Sequence, residues 1–116
     1  MKIKNAKIKN VTTSLDAKDN LIASIEFHEE LTFSTFVFKL ANPVELQNFT
    51  KLMEYAEVQT VNELEGKIIR IAEHKDLIRA IGHPIKDKFV YVTNKMTLPI
   101  EELKEEDVLK DFFEIK

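Results

Sequence analysis

The sequence predicts an α+β domain: an antiparallel or mixed sheet of about five strands, in the order β-β-β-α-α-β-β, with an appended C-terminal helix. Three observations carry that prediction. Apolar, β-branched and aromatic residues alternate with polar ones through residues 1–40. An Asn42-Pro43 helix start follows, and apolar residues then recur at helical spacing. Residues 66–92 hold both glycines of the chain and its densest β-branched run. With 116 residues, 44% hydrophobic and 32% charged, the chain is read as a single ordered domain around one core. Residues 1–96 form the sheet-and-helix body, and 97–116 an acidic helix.

Met1–Asp16 reads as a long first strand. Ile8 lies on one parity while Val11 and Leu15 lie on the other, so a bulge is expected near Lys9–Asn10. Ala17-Lys18-Asp19-Asn20 makes the turn into Leu21–Phe27, where Leu21, Ala23, Ile25 and Phe27 share a face. After His28-Glu29-Glu30, a third strand runs from Leu31 to Leu40. Its parity switches at Ser34-Thr35, which predicts a second bulge or a strand buried on both sides at its far end. Asn42 caps the first helix, Pro43 takes its first position, and Glu45 faces the positive end of the dipole. Leu46, Phe49, Leu52, Met53 and Ala56 form its sheet-facing stripe. Thr60 and Glu63 have capping-box spacing for a short helix over Val61–Glu65, which Gly66 ends.

Two further strands, Lys67–Ala72 and Leu77–Ile81, flank the turn Glu73-His74-Lys75-Asp76, and a third extended piece covers Phe89–Val92. Gly82 is expected at a positive φ or at a close backbone approach. Thr97-Leu98-Pro99 then introduces a helix to about Phe113, with Ile100, Leu103, Val108, Leu109, Phe112 and Phe113 as its apolar stripe.

Absence of cysteine excludes disulfides and thiolate metal sites, and makes a reducing, cytoplasmic setting the natural expectation. The opening residues lack the apolar segment of a signal peptide, and no run is long enough to span a bilayer. No cofactor and no membrane partner is expected. His28, His74 and His83 lack metal-ligand spacing, and two glycines cannot build a phosphate-binding loop. Ser14, Ser24 and Ser34 lie in strands without a nucleophile elbow. Paired acids such as Glu29-Glu30 more often solvate a surface than perform acid–base work. The expectation is therefore a non-enzymatic protein.

The net charge of −3 hides an uneven distribution. Residues 66–96 carry seven lysines and arginines, Lys95 among them, against three acids; residues 97–116 carry seven acids against three lysines. Two candidate surfaces follow. One is the acidic segment Glu101–Glu114, with Glu101, Glu102, Glu105, Glu106 and Asp107 as partner-binding residues that mimic nucleic-acid phosphates in a basic groove. The other is the basic hairpin, with Arg70, Arg79, His83, Lys86 and Lys88 as an alternative surface for a nucleic acid or nucleotide. Arg70 and Arg79 can instead pair with acids of the C-terminal helix. Within the segment 82–89, the alternative to a binding edge is a tight connection in which Gly82 and Pro84 set the turn and Phe89 anchors it.

Lys4-Asn5-Ala6-Lys7-Ile8, then Leu64, Gly66, Lys67 and Arg70, then Ala80-Ile81-Gly82-His83, Ile85 and Asp87-Lys88-Phe89 make a pattern. On these residues, roughly half of the chain resembles a group of small, functionally unassigned proteins of bacteriophages and prophages. The chain departs from that group in its glycine-free Glu29–Leu40, in Phe89 where a tryptophan is usual, and in the acidic helix after Thr97. The resemblance implies a phage origin and a shared fold, and supplies no reaction. Small size, the missing catalytic constellation and the acidic appendage join it in one expectation. That expectation is a phage-type accessory protein that inhibits a host defence nuclease, in the manner of an anti-CRISPR protein, by binding a protein partner such as a nucleic-acid-binding effector. A homodimer is a further possibility, since the apolar stripe of the last helix must dock on its own sheet or on a second subunit.

Overall fold

The computed structural model describes residues 2–93 and 98–113. Strands β1 (Lys2–Leu15), β2 (Leu21–His28) and β3 (Phe33–Lys39) precede helix α1 (Pro43–Tyr55) and a 3-10 turn at Val61–Leu64. Strands β4 (Ile68–His74), β5 (Leu77–Gly82) and β6 (Phe89–Tyr91) follow, and helix α2 (Glu105–Phe113) comes last. Met1, Lys95, Thr97 and Glu114, drawn above into strand, basic run, helix lead-in and acidic surface, lie outside the described residues, as do the side chains of Phe112 and Phe113. Among the described residues the sheet has six strands where about five were expected, in the order β3-β2-β1-β4-β5-β6 with every pairing antiparallel. The piece expected merely as extended at Phe89–Val92 is the sixth, paired to β5.

The long β1 joins the two halves. Its residues 7–15 pair with β2 and its residues 2–7 with β4, so the halves are staggered along it. Lys9 is the extra residue of a bulge between the Ile8–Phe27 and Asn10–Glu26 pairs. This bulge turns both Ile8 and Val11 to the core, as the parity switch in the sequence required. A second bulge falls in the β4–β5 pair, where Arg79 is the extra residue between Ala80 and Ile78. Lys75 and Asp76, at φ 54° and 63°, form the two-residue turn whose twist suits a hairpin. The sheet curls until Ser34 of β3 donates to the Glu73 carboxylate of β4 at 3.3 Å, with β2 and β1 between them.

Helix α1 fills the concave face. The Asn42 side chain accepts from the amides of Val44 and Glu45 at 2.9 and 3.2 Å, with Pro43 next in the chain, as expected from the sequence. The buried stripe is Asn48, Phe49, Leu52 and Tyr55, with Met53 partly buried beside it. Leu46, expected in that stripe, is 44% exposed. Asn48 is fully buried, and its side-chain atoms have no hydrogen-bond partner among the described residues. Phe49 meets Phe38 of β3 edge-on, with ring centroids 5.5 Å apart. No second bulge occurs at Ser34-Thr35: the β2–β3 register is continuous, Phe36 and Phe38 face inward, and Leu31 and Phe33 simply stay exposed.

The β4–β5–β6 half is covered on both faces. Ile71, Ile81 and Val90 belong to the main core, while Ala72, Ala80, Phe89 and Tyr91 form a second cluster with Val108 of α2. Double coverage explains the near-continuous apolar run in this part of the sequence. Among the described residues no helix is long and apolar enough to cross a membrane.

Phe49, only 5% exposed, ties α1 to β3. Phe49→Ala should lower the unfolding free energy in denaturant melts by about 3–5 kcal/mol, and Leu46→Ala by under about 1 kcal/mol. Equal losses at the two positions would contradict the helix orientation.

Candidate functional site

The two charged segments singled out in the sequence meet at one place, the connection between β5 and β6. Gly82 faces Phe89 across the β5–β6 pair. A Cβ at position 82 would lie 2.5 Å from the Phe89 ring and 2.9 Å from the Lys88 carbonyl oxygen. Close approach, and not a positive φ, is therefore the reason for this glycine; the positive φ belongs to Gly66, at 87°. Phe89, pressed against Gly82, exchanges two backbone hydrogen bonds with Leu103: its amide donates at 2.8 Å and its carbonyl accepts at 2.7 Å. The C-terminal segment is thus an extended strap on the edge of β6 before it becomes α2. The helix expected from Thr97 begins only at Glu105, so Glu101 and Glu102 are not helical.

Three side chains fix the connection. His83 is 7% exposed, and its Nδ1 accepts from the amides of Ile85 and Lys86 at 3.0 and 2.9 Å. That acceptor role puts the ring proton on Nε2, which donates to Glu57 at 3.2 Å. Asp87 accepts the Glu105 amide at 2.7 Å and so caps α2 from another part of the chain. Arg70 lies over the Phe89 ring, 5.6 Å from its centroid, and donates to the Pro84 carbonyl at 3.1 Å. The same guanidinium stands 3.8 Å from Glu105.

The remaining acids divide by environment. Glu102 accepts from the Tyr55 hydroxyl at 2.7 Å and lies 3.5 Å from Lys51. The Tyr55 hydrogen bond, foremost, and the Lys51 and Lys88 charges hold the Glu102 carboxyl below the usual range against partial desolvation. Burial, aided by Glu102 and Glu54, pushes the Tyr55 hydroxyl well above the usual phenol range. Asp107 accepts the Lys104 amide at 3.1 Å, and Tyr91 donates to Asp111. Glu105, Glu106 and Asp107 all lie in the first turn of α2, where the helix dipole favours negative charge. Glu101 and Glu106 are exposed.

The structure therefore brings Arg70, His83, Lys86, Lys88 and the acids 102 and 105 together around one connection, while Asp107 turns to the Lys104 amide. Arg70 pairs with an acid of the last helix, one of the two outcomes open in the sequence. Arg79 does not join them; it is the bulge residue farther along β5, with a buried Nε that has no partner among the described residues. His83 is buried instead of presented. Lys86 and Lys88 are exposed beside Ile85, itself 84% exposed, and with Tyr55, Glu102 and Glu57 they line a small pocket of about 70 Å³.

A larger cleft of about 470 Å³ lies at the far end of the curled sheet, lined in part by Lys2, Lys4, Ser34, Glu73 and Lys75. Lys4 pairs there with Glu29 at 2.6 Å and with Glu73. Partial burial pulls the Lys4 pKa down, but the two carboxylates outweigh it and hold the ammonium above its usual range. Sequence reasoning missed this cluster because its members come from β1, the β2–β3 turn, β3 and β4. The even parity that Lys4 shares with Ala6 and Ile8 was the one available signal. Among the described residues no three acids or histidines gather as a metal site.

No family model matches the chain, and no curated protein or solved structure does so either. The fold and the site define the class, a six-stranded antiparallel α+β domain with a docked acidic strap.

Gly82→Val should destabilise by more than the ~1–3 kcal/mol typical of overpacking, because backbone and ring both block the added methyls. Gly82→Ala should fall within that range. Denaturant melts showing ordinary stability for the valine variant would remove the close approach as the reason for Gly82.

Proposed function

We propose that the protein works by binding and not by catalysis, as a phage-type accessory protein acting in the host cytoplasm. Its acidic C-terminal segment occupies the basic groove of a nucleic-acid-binding effector, in the manner of an anti-CRISPR inhibitor of a host defence nuclease. The observation that carries this reading is the division of labour among the acids. Glu102, Glu105 and Asp111 reach Tyr55, Arg70 and Tyr91 of the body and pin the segment, while Asp107 accepts the Lys104 amide within it. Glu101 and Glu106 face solvent from the segment so fixed. Carboxylates on a rigid frame lose little entropy on meeting a cationic groove, and their charge steers the encounter. Ile85, exposed in the same connection as Lys86 and Lys88, offers an apolar anchor. The competing reading, a nucleic-acid surface on the basic hairpin, has less support, since Arg70 is engaged by Glu105 and Pro84 and Arg79 lies elsewhere.

Reversal of the two outward acids tests the proposal without touching the pins. Glu101→Lys with Glu106→Lys should leave the melt within about 0.5 kcal/mol of wild type. Capture of a basic, nucleic-acid-binding protein from host extract should fall about tenfold or more, and wild-type capture should weaken steeply with salt. Full capture by the double variant, or a mobility shift of DNA or RNA by the wild-type protein alone at low salt, would overturn it.

A further inference from the structure

The opposite edge of the sheet is formed by β3, and its hydrogen-bonding directions can be read from the register. Leu40 donates to the Leu21 carbonyl at 3.0 Å, so the even residues of this strand bond to β2. The odd residues Phe33, Thr35, Val37 and Lys39 therefore direct their amides and carbonyls outward. At Lys39 the outward amide is already used, donating to the Glu45 carboxylate at 3.1 Å. That bond closes one end of the edge and leaves Phe33, Thr35 and Val37, all of them exposed. Free edges are ordinarily blunted by charge, proline or a bulge. This one has none of these between Phe33 and Phe38, and its register with β2 is continuous.

From this we infer that β3 pairs with β3 of a second copy of this chain, antiparallel about a two-fold axis at Thr35. A two-fold axis there makes the strand its own complement. Thr35 faces Thr35, and Phe33 faces Val37 at each side, so every outward amide and carbonyl of the three residues finds a partner. The side chains follow the same symmetry. Phe33 and Val37 of the outer face become cross-strand aromatic and β-branched pairs, a favourable combination on a sheet. Phe33 is preset for this by stacking on His28, ring centroids 5.4 Å apart. Charge agrees as well. Continued past the end of the strand, this pairing brings Lys39 of each copy toward the acidic Glu29-Glu30 turn of the other, and β3 itself carries no charge between Phe33 and Phe38. The two copies would form one continuous twelve-stranded sheet, six strands from each. Because β6 and the acidic strap lie at the other edge, each dimer carries two acidic segments at its far ends, and this inference stands apart from their function.

Charge placed on the axis provides the test. Sedimentation of the wild-type protein across a concentration series should show a monomer–dimer equilibrium. Thr35→Lys and Thr35→Glu each set like charges directly opposite one another across the axis and should give monomers. Within one copy position 35 faces Glu26 of β2, so at low concentration the lysine variant should melt no lower than wild type and the glutamate variant somewhat lower. Mixing the two variants should restore a dimer containing one of each. In the wild-type protein, the amides of Phe33, Thr35 and Val37 should gain hydrogen-exchange protection as concentration rises, while those of Ser34, Phe36 and Phe38 stay protected throughout. A wild-type chain that stays monomeric at high concentration would overturn the inference. So would single variants that still dimerise, or odd-residue amides whose exchange ignores concentration; these outcomes place the edge with another occupant or with none.

Discussion

The absence of a side chain at position 82 is the constraint on which the C-terminal third of the fold depends. Because nothing projects from Gly82, the Phe89 ring lies against its backbone, buried, with the Arg70 guanidinium over the ring. With Phe89 so placed, its amide and carbonyl face outward from β6 at the height where Leu103 pairs with them. Leu103 fastens the strap, Asp87 caps α2, and Val108 closes over Ala72, Ala80 and Tyr91. Each step positions the next. The segment 82–89 is thus architecture first: its histidine, aspartate and aromatic residue serve the docking of the chain that follows.

Charge at this junction is organised by the same docking. The basic run and the acidic run, opposite in sign along the sequence, are neighbours in space, and Arg70–Glu105 and Lys51–Glu102 partly neutralise one another. Such half-exposed pairs contribute little stability individually. Their consequence is positional, since they decide which charges remain for a partner. What is left outward is a short apolar and lysine-bearing tip at Ile85–Lys88, with Glu101 and Glu106 on the strap and helix.

Much of the fold could be read in the sequence where local chemistry alone decides. The Ile8/Val11 parity switch located the bulge at Lys9, Asn42-Pro43 located the start of α1, and Lys75-Asp76 lay within the expected turn. Readings failed where a distant partner decides. Ile100 and Leu103 share helical spacing with Val108, yet Leu103 is extended because Phe89 offers it two backbone hydrogen bonds. Leu46 has the spacing of a core residue but lies where α1 clears the sheet, whereas Tyr55 is buried against Glu102, 47 positions away. His83 looked presentable on a polar loop, and its burial follows from two amides that turn back on it. For the site, the sequence named the residues of the junction and left open the pairing of Arg70 with the last helix, but did not show the docking of Leu103 on Phe89 that brings them together, and the Lys4 cluster left only a parity trace.

Residue-resolved hydrogen exchange at the strap tests the central claim most directly, that the acidic segment is pinned to the body through β6. If it is, the amides of Leu103, Glu105 and Phe89 exchange together, with protection comparable to that of Ile81 and Val90 in the adjoining strands. Exchange of Leu103 and Glu105 at the rate of an unstructured chain, while Ile81 and Val90 stay protected, would show a segment that is merely tethered and would contradict the claim.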